Sequence, residues 1–234
     1  VLVSDELRAR AVAADFKALT SRPVLIFRPR ELNLTDAEAV SHESEMQRAA
    51  ILSQVLDQQF GALIITAAAA VQKLPPTDAF VRYQVRLRRG DQVEIEALTR
   101  QLLQAGYERM RLAEGPGQFA QRGDIVDIVL PSVENGQDPE GIRISFFDRE
   151  IDAIKRFDPE SQRSHDMLDA VVLPPVRELI VDPAYHNRLS EQMEAAGKES
   201  FTRAIQAGAD KETADLMRQL AFRDAEKMSA HLHL

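Results

Sequence analysis

The chain has 234 residues, 44% of them hydrophobic, enough for one large domain or two small ones, each with its own core. It contains no cysteine, which excludes disulfides, thiolate metal sites and thiol nucleophiles. A formal net charge of -8 argues against a surface that binds nucleic acid unaided, because that affinity comes mainly from Lys and Arg neutralising phosphates.

The longest apolar run, Ala62 to Val71, falls well short of the roughly 20 residues a membrane-spanning helix needs. The opening "VLVSDELRAR" has no initiator Met, basic leader or signal-type cleavage site, so the chain reads as the middle of something longer. A cytoplasmic location is the expectation.

Through residue 81 short apolar strands alternate with amphipathic helices: "VLVSD", a helix over Glu6–Leu19, "VLIF" (Val24–Phe27), a helix over Ser41–Leu56, and "ALIIT" (Ala62–Thr66). This alternation predicts a parallel sheet covered on both faces, the layout of a nucleotide-binding α/β domain. No G-x-x-x-x-G-K-[ST] and no G-x-G-x-x-G follows any strand, so no glycine loop or lysine is present to cradle phosphates. ATP is not expected to bind tightly.

After "LPP" (Leu74–Pro76) the pattern changes. A strand is predicted over Ala79–Asp91, a helix over Gln92–Tyr107 ending near Gly106, then strands in "YERMRLA", "GQFAQRGDIVDIVLPS", "IRISFFD" and "EIDAIKRFD". Turns are predicted at Gly115–Gly117 and Glu134–Gly141, giving a small antiparallel α+β unit over 82–172. A second proline pair, Pro174 and Pro175, marks its exit, and from about Pro183, with Asp182 as N-cap, the tail to Leu234 is helical by period and composition. The division is thus 1–81, 82–172 and 173–234.

In "IRISFFD", strand alternation puts Ile142, Ile144 and Phe146 on the core face and Arg143, Ser145 and Phe147 on the other. An aromatic beside an arginine on a face turned to water has the composition of a binding hot spot, and Arg122, if on a neighbouring strand, would complete the patch. A second reading stays open, in which Phe147 packs under the helix Glu94–Gly106 and Arg143 pairs with Asp148 or Glu150. Gly123 is a candidate bulge that would reset the parity of Arg122. The histidines His42, His165, His186, His231 and His233 form no ligand set, and the acids of Asp148–Asp152 read as a solvated edge, so no catalytic, cofactor or metal residues are assigned.

The run from Gly117 to Ser164, with its R-G strand, R-x-x-F-F-D strand, E-I-D and F-D-x-x-S-Q-R, resembles the bacterial transcription-repair coupling factors. "ELNLTDAEAVSHESEMQRAAIL" and "VQKLPP" extend that resemblance from Val1 to about Asp182. It implies a degenerate P-loop-type α/β domain, similar to part of the excinuclease protein UvrB and lacking the phosphate loop, with an inserted α+β domain that binds the excinuclease protein UvrA. Arg122, Arg143 and Phe147 match the family's contacts for UvrA. RNA polymerase, DNA and ATP would be handled by parts of the full-length protein outside this sequence, and the fragment itself would be a non-enzymatic adaptor. A fragment of UvrB, or a small-molecule enzyme using the α/β cleft, are the competing readings.

Overall fold

Three short strands, Leu2–Val3 (β1), Val24–Phe27 (β2) and Ala62–Thr66 (β3), pair in parallel in the order β1-β3-β2. The apolar character of β2 and β3 follows from cover on both sides, whereas Leu2 of the edge strand β1 stays exposed. Helix α1 (Glu6–Leu19) covers one face with Ala9, Ala13, Val12 and Phe16, and helix α2 (Glu38–Leu56) brings Ile51, Leu52 and Val55 to a second cluster with Leu25 and Phe27. A computed structural model describes residues 1–30, 38–133 and 139–178, with 195, 197–208, 210, 211, 213 and 215 of the tail; for 38–41 the backbone alone is described.

The parallel sheet therefore forms as expected. A helical turn at Ala67–Ala70 (α3), capped by the Thr66 hydroxyl accepting from the Ala69 amide, follows β3. The next segment departs from expectation. Ala79–Asp91 is not one strand: Thr77–Val81 forms a short helix (α4) and only Val85–Arg88 is extended (β4). Pro76 starts the helix, its carbonyl accepting from the Phe80 amide, and the buried Phe80 ring anchors it, so tertiary packing overrides a locally strand-like composition.

Helix α5 is Ile95–Gln104, shorter at its start than the predicted Gln92–Tyr107. Gln92 instead bridges Glu150 in extended form and the Val93 amide donates to the Arg149 carbonyl at 2.8 Å, so a sheet edge claims these residues first. The helix ends as predicted at Gly106, whose φ of +91° suits glycine.

Beyond it lies a six-stranded sheet in the order β10-β9-β8-β7-β6-β5, built from Glu108–Arg109 (β5), Gln118–Arg122 (β6), Ile125–Val129 (β7), Gly141–Phe147 (β8), Glu150–Phe157 (β9) and Ser164–Leu168 (β10). It is antiparallel except at one edge, where the two-residue β5 pairs in parallel with β6. Strand β11 (Ala170–Leu173) returns to pair antiparallel with β4. Leu98 and Leu102 of α5 pack on Phe119, Val126, Ile128, Ile142, Ile144, Phe146, Ile151 and Ile154, forming the largest core.

All three sheets lie in one compact unit, Val1–Glu178; Leu179–Leu234 is a separate unit. In the latter a helix runs over 197–206, in keeping with the expected helical tail, while Asp182, Pro183, His186, His231 and His233 lie outside the described residues. Among the described residues no helix is long and apolar enough to cross a membrane, and no group of three or more His, Asp or Glu is placed to hold a metal.

Candidate functional site

The second face of the large sheet, turned away from α5, carries the residues of interest. Strand alternation sends Ile142, Ile144 and Phe146 into the core and Arg143, Ser145 and Phe147 to this face, as the period of two requires. An irregularity in the β8–β9 ladder between Ser145 and Phe146 leaves that order intact, with Phe147 opposite Glu150. Phe147 is 80% exposed, so it does not pack under α5.

Arg122 closes β6 opposite Ile125, and the chain reverses through Gly123 (φ +58°) and Asp124 into β7. The glycine serves a tight hairpin and not a bulge, so the parity of Arg122 is kept and it shares a face with Ile125 and Asp127.

Asp127 sits at the centre. It lies directly opposite Arg143 on β8 and diagonally from Arg122 on β6, and its side chain is fully buried. Arg143 grips it in bidentate fashion, Nε donating to Oδ1 at 2.6 Å and a terminal nitrogen to Oδ2 at 3.0 Å. Arg122 donates to the same Oδ2. The partner of Arg143 is thus neither Asp148 nor Glu150, both of which are exposed near the hairpin tip.

The rest of the Arg143 guanidinium is fixed as well. Nη1 donates to the Gln162 carbonyl at 3.2 Å and to the Ser164 hydroxyl at 3.0 Å, and the plane lies over the Phe157 ring with 4.9 Å to the centroid. Arg143 is mostly covered, 16% exposed in its side chain, whereas Arg122 keeps 48%. The outcome is a corner of one sheet face with a bare aromatic at the end of β8, a half-exposed guanidinium at the end of β6 and a second one locked in place four residues along β8 from the aromatic, two positive charges against one buried negative.

Asp127 was missed in the sequence, although the signal was there. In "IVDIV" a carboxylate interrupts an apolar strand, and a buried charge of that kind needs a cationic partner nearby.

The C-terminal ends of the parallel strands, where α/β sheets bind ligands, are occupied by the chain's own groups. Between β1 and α1 stand only Ser4 and Asp5, and the Asp5 carboxylate accepts from the Arg8 amide at 2.9 Å, filling the place an anion takes at a helix N-terminus. Hydrogen bonds from the Ser4 hydroxyl and the Arg8 amide hold that carboxyl below its usual value. After β2, Arg28 pairs with Glu6 at 3.0 Å, and Arg30 and Arg48 converge on the buried carboxylate of Glu178.

The UvrB interaction domain family matches residues 85–179, a stretch that begins at β4 and runs past the end of β11. The chain is 29% identical over 206 residues, 88% of its length, to a transcription-repair-coupling factor of Bacillus subtilis, and 30% identical over 185 residues, 76% of its length, to that of Myxococcus xanthus. A Staphylococcus aureus coupling factor is 28% identical over 182 residues, 78% of the chain. The chain spans only 17%, 15% and 15% of the length of these relatives. By these matches the chain is similar over most of its length to part of the transcription-repair coupling factors, and residues 85–179 match the UvrB interaction domain family.

Proposed function

We propose that the chain is a non-enzymatic adaptor that docks the excinuclease protein UvrA through the corner formed by Arg122, Arg143 and Phe147, and so recruits repair proteins to a stalled RNA polymerase in transcription-coupled nucleotide excision repair. The observation that carries it is Phe147, an aromatic 80% exposed on the sheet face that also carries Arg122 and Arg143. Aromatic residues and arginine are enriched in the hot spots of protein interfaces, and both types stand on this face. The positive corner calls for an acidic or carbonyl-rich partner surface.

In this reading residues 1–81 are the remnant of a P-loop-type domain, 82–172 the inserted docking domain and 173–234 the helical return. The Asp5 carboxylate at the start of α1 supports the absence of nucleotide binding, because a phosphate there would meet a like charge. No cofactor is assigned to this module. Polymerase, DNA and ATP belong to other parts of the full-length protein, which acts in the cytoplasm.

Calorimetric titration of the fragment with purified UvrA, wild type beside Phe147→Ala, tests the proposal. Binding that Phe147→Ala abolishes is expected. No binding by a folded wild type would overturn it, and an unchanged affinity in the variant would move the site elsewhere.

A further inference from the structure

Two arginines assigned to one partner are both held by a carboxylate that the partner cannot reach. We infer that Asp127 is a positioning residue of the docking corner: it touches no partner atom, and it fixes the directions in which Arg122 and Arg143 present their remaining N–H groups. This rests on the docking role proposed above and adds to it a residue with a separate and measurable task.

The geometry supports the inference at three points. Asp127 is completely buried, so its role runs through its neighbours. Both of its oxygens are engaged, Oδ1 by Arg143 Nε and Oδ2 by one nitrogen from each arginine, so a single group sets the register between guanidinium groups on two different strands. And Arg122, 48% exposed, has no other ion pair among the described residues; without the carboxylate it would sample the several rotamers of a long side chain, and binding would have to order it again. A rigid fork loses less on association than a free one, which is how a buried negative charge can strengthen docking to an acidic surface.

Charge alone gives the opposite sign. Neutralising Asp127 raises the positive charge of the corner, so a purely Coulombic account predicts tighter binding by Asp127→Asn. The positioning account predicts weaker binding.

The experiment is a double-mutant cycle read by calorimetry against purified UvrA, with Asp127→Asn, Arg122→Ala and the pair combined, and with circular dichroism confirming the fold of each. Asp127→Asn is expected to weaken binding about tenfold, and to weaken it less when Arg122 is already alanine, because the part of its effect that runs through Arg122 is then gone and only the part through Arg143 remains. Equal losses in both backgrounds would overturn the positioning of Arg122 by Asp127, and unchanged or tighter binding would overturn the inference as a whole. A wild type that does not bind would instead sink the docking role itself. Nitrogen NMR of the wild-type guanidinium groups gives a readout that needs neither partner nor variant. The Arg143 terminal nitrogens are expected to be resolved and slow to rotate, and a freely averaging signal would overturn the inference even if Asp127→Asn failed to fold.

Discussion

Arg48 and Glu178 form a bidentate ion pair at 2.7 and 2.9 Å with both side chains almost wholly removed from water. The pair joins α2 to the segment that leaves β11, across 130 residues of sequence. The Arg48 guanidinium also lies 4.1 Å from the centre of the Phe27 ring and donates to the Arg28 carbonyl, so one side chain ties together the end of β2, α2 and the segment after β11.

Breaking this pair should be among the costliest changes in the molecule. Arg48→Ala leaves the Glu178 carboxylate buried with only Arg30 beside it, and a loss of about 3 to 5 kcal/mol is expected. Urea unfolding checks the value. A joint replacement by Met and Leu should cost far less, because no charge is stranded.

The same pair gives acid sensitivity. Burial alone would raise the Glu178 carboxyl, but the hydrogen bonds and charges of Arg48 and Arg30 outweigh it and hold the group below its ordinary value of 4.5. A carboxyl depressed on folding contributes stability that is present above the unfolded value and lost as pH falls through the folded one. Stability should therefore fall with decreasing pH from about 4.5 downward, and Glu178→Gln should flatten that limb while lowering stability at neutral pH. Denaturation midpoints measured between pH 7 and pH 3 decide the matter.

Neighbouring phenylalanines should behave oppositely. Phe146 is 7% exposed within the main core and Phe147 is 80% exposed. Phe146→Ala should cost about 3 to 5 kcal/mol, and Phe147→Ala about 0.5 kcal/mol or less while removing partner binding. Thermal melting and titration of the two variants side by side test both halves.

Gly141 should resist even a methyl group. A Cβ there would stand 2.4 Å from the Phe157 ring, which is 1% exposed and has no room to swing away. Gly141→Ala is expected to destabilise by about 1 to 3 kcal/mol. At Gly123 nothing lies within 4 Å, so alanine there should cost only the strain of its positive φ, about 1 to 2 kcal/mol, and asparagine less. A melting-temperature ranking of the three variants would show whether space or backbone conformation matters more.

What could be read from the sequence followed periodicity. The alternation of Ile142, Ile144 and Phe146 against Arg143, Ser145 and Phe147 was legible because a strand has only two faces and one was plainly apolar. The parallel strands of the first sheet were legible as short apolar runs, since burial on both sides leaves no polar alternation to confuse them. The short helix at Thr77–Val81 was hidden, because its stability comes from placing Phe80 in a core assembled elsewhere. The partners of Asp127 were hidden for a related reason: the strand registers that deliver Arg122 and Arg143 to it cannot be deduced from one strand's pattern.

The ribbon of β4 and β11 is where the chain both approaches and leaves the six-stranded sheet, with Val85 opposite Leu173. At its other end Gly90 bonds to Ile151, Gln92 bridges Glu150, and Glu150 faces Phe147. Two contacts fasten the same ribbon to α2 and its end, Gln84 to Ser53 and Arg86 to Asp57. The two chain crossings are thus clamped as a pair, and a strain that pulled one of them loose would free the other with it.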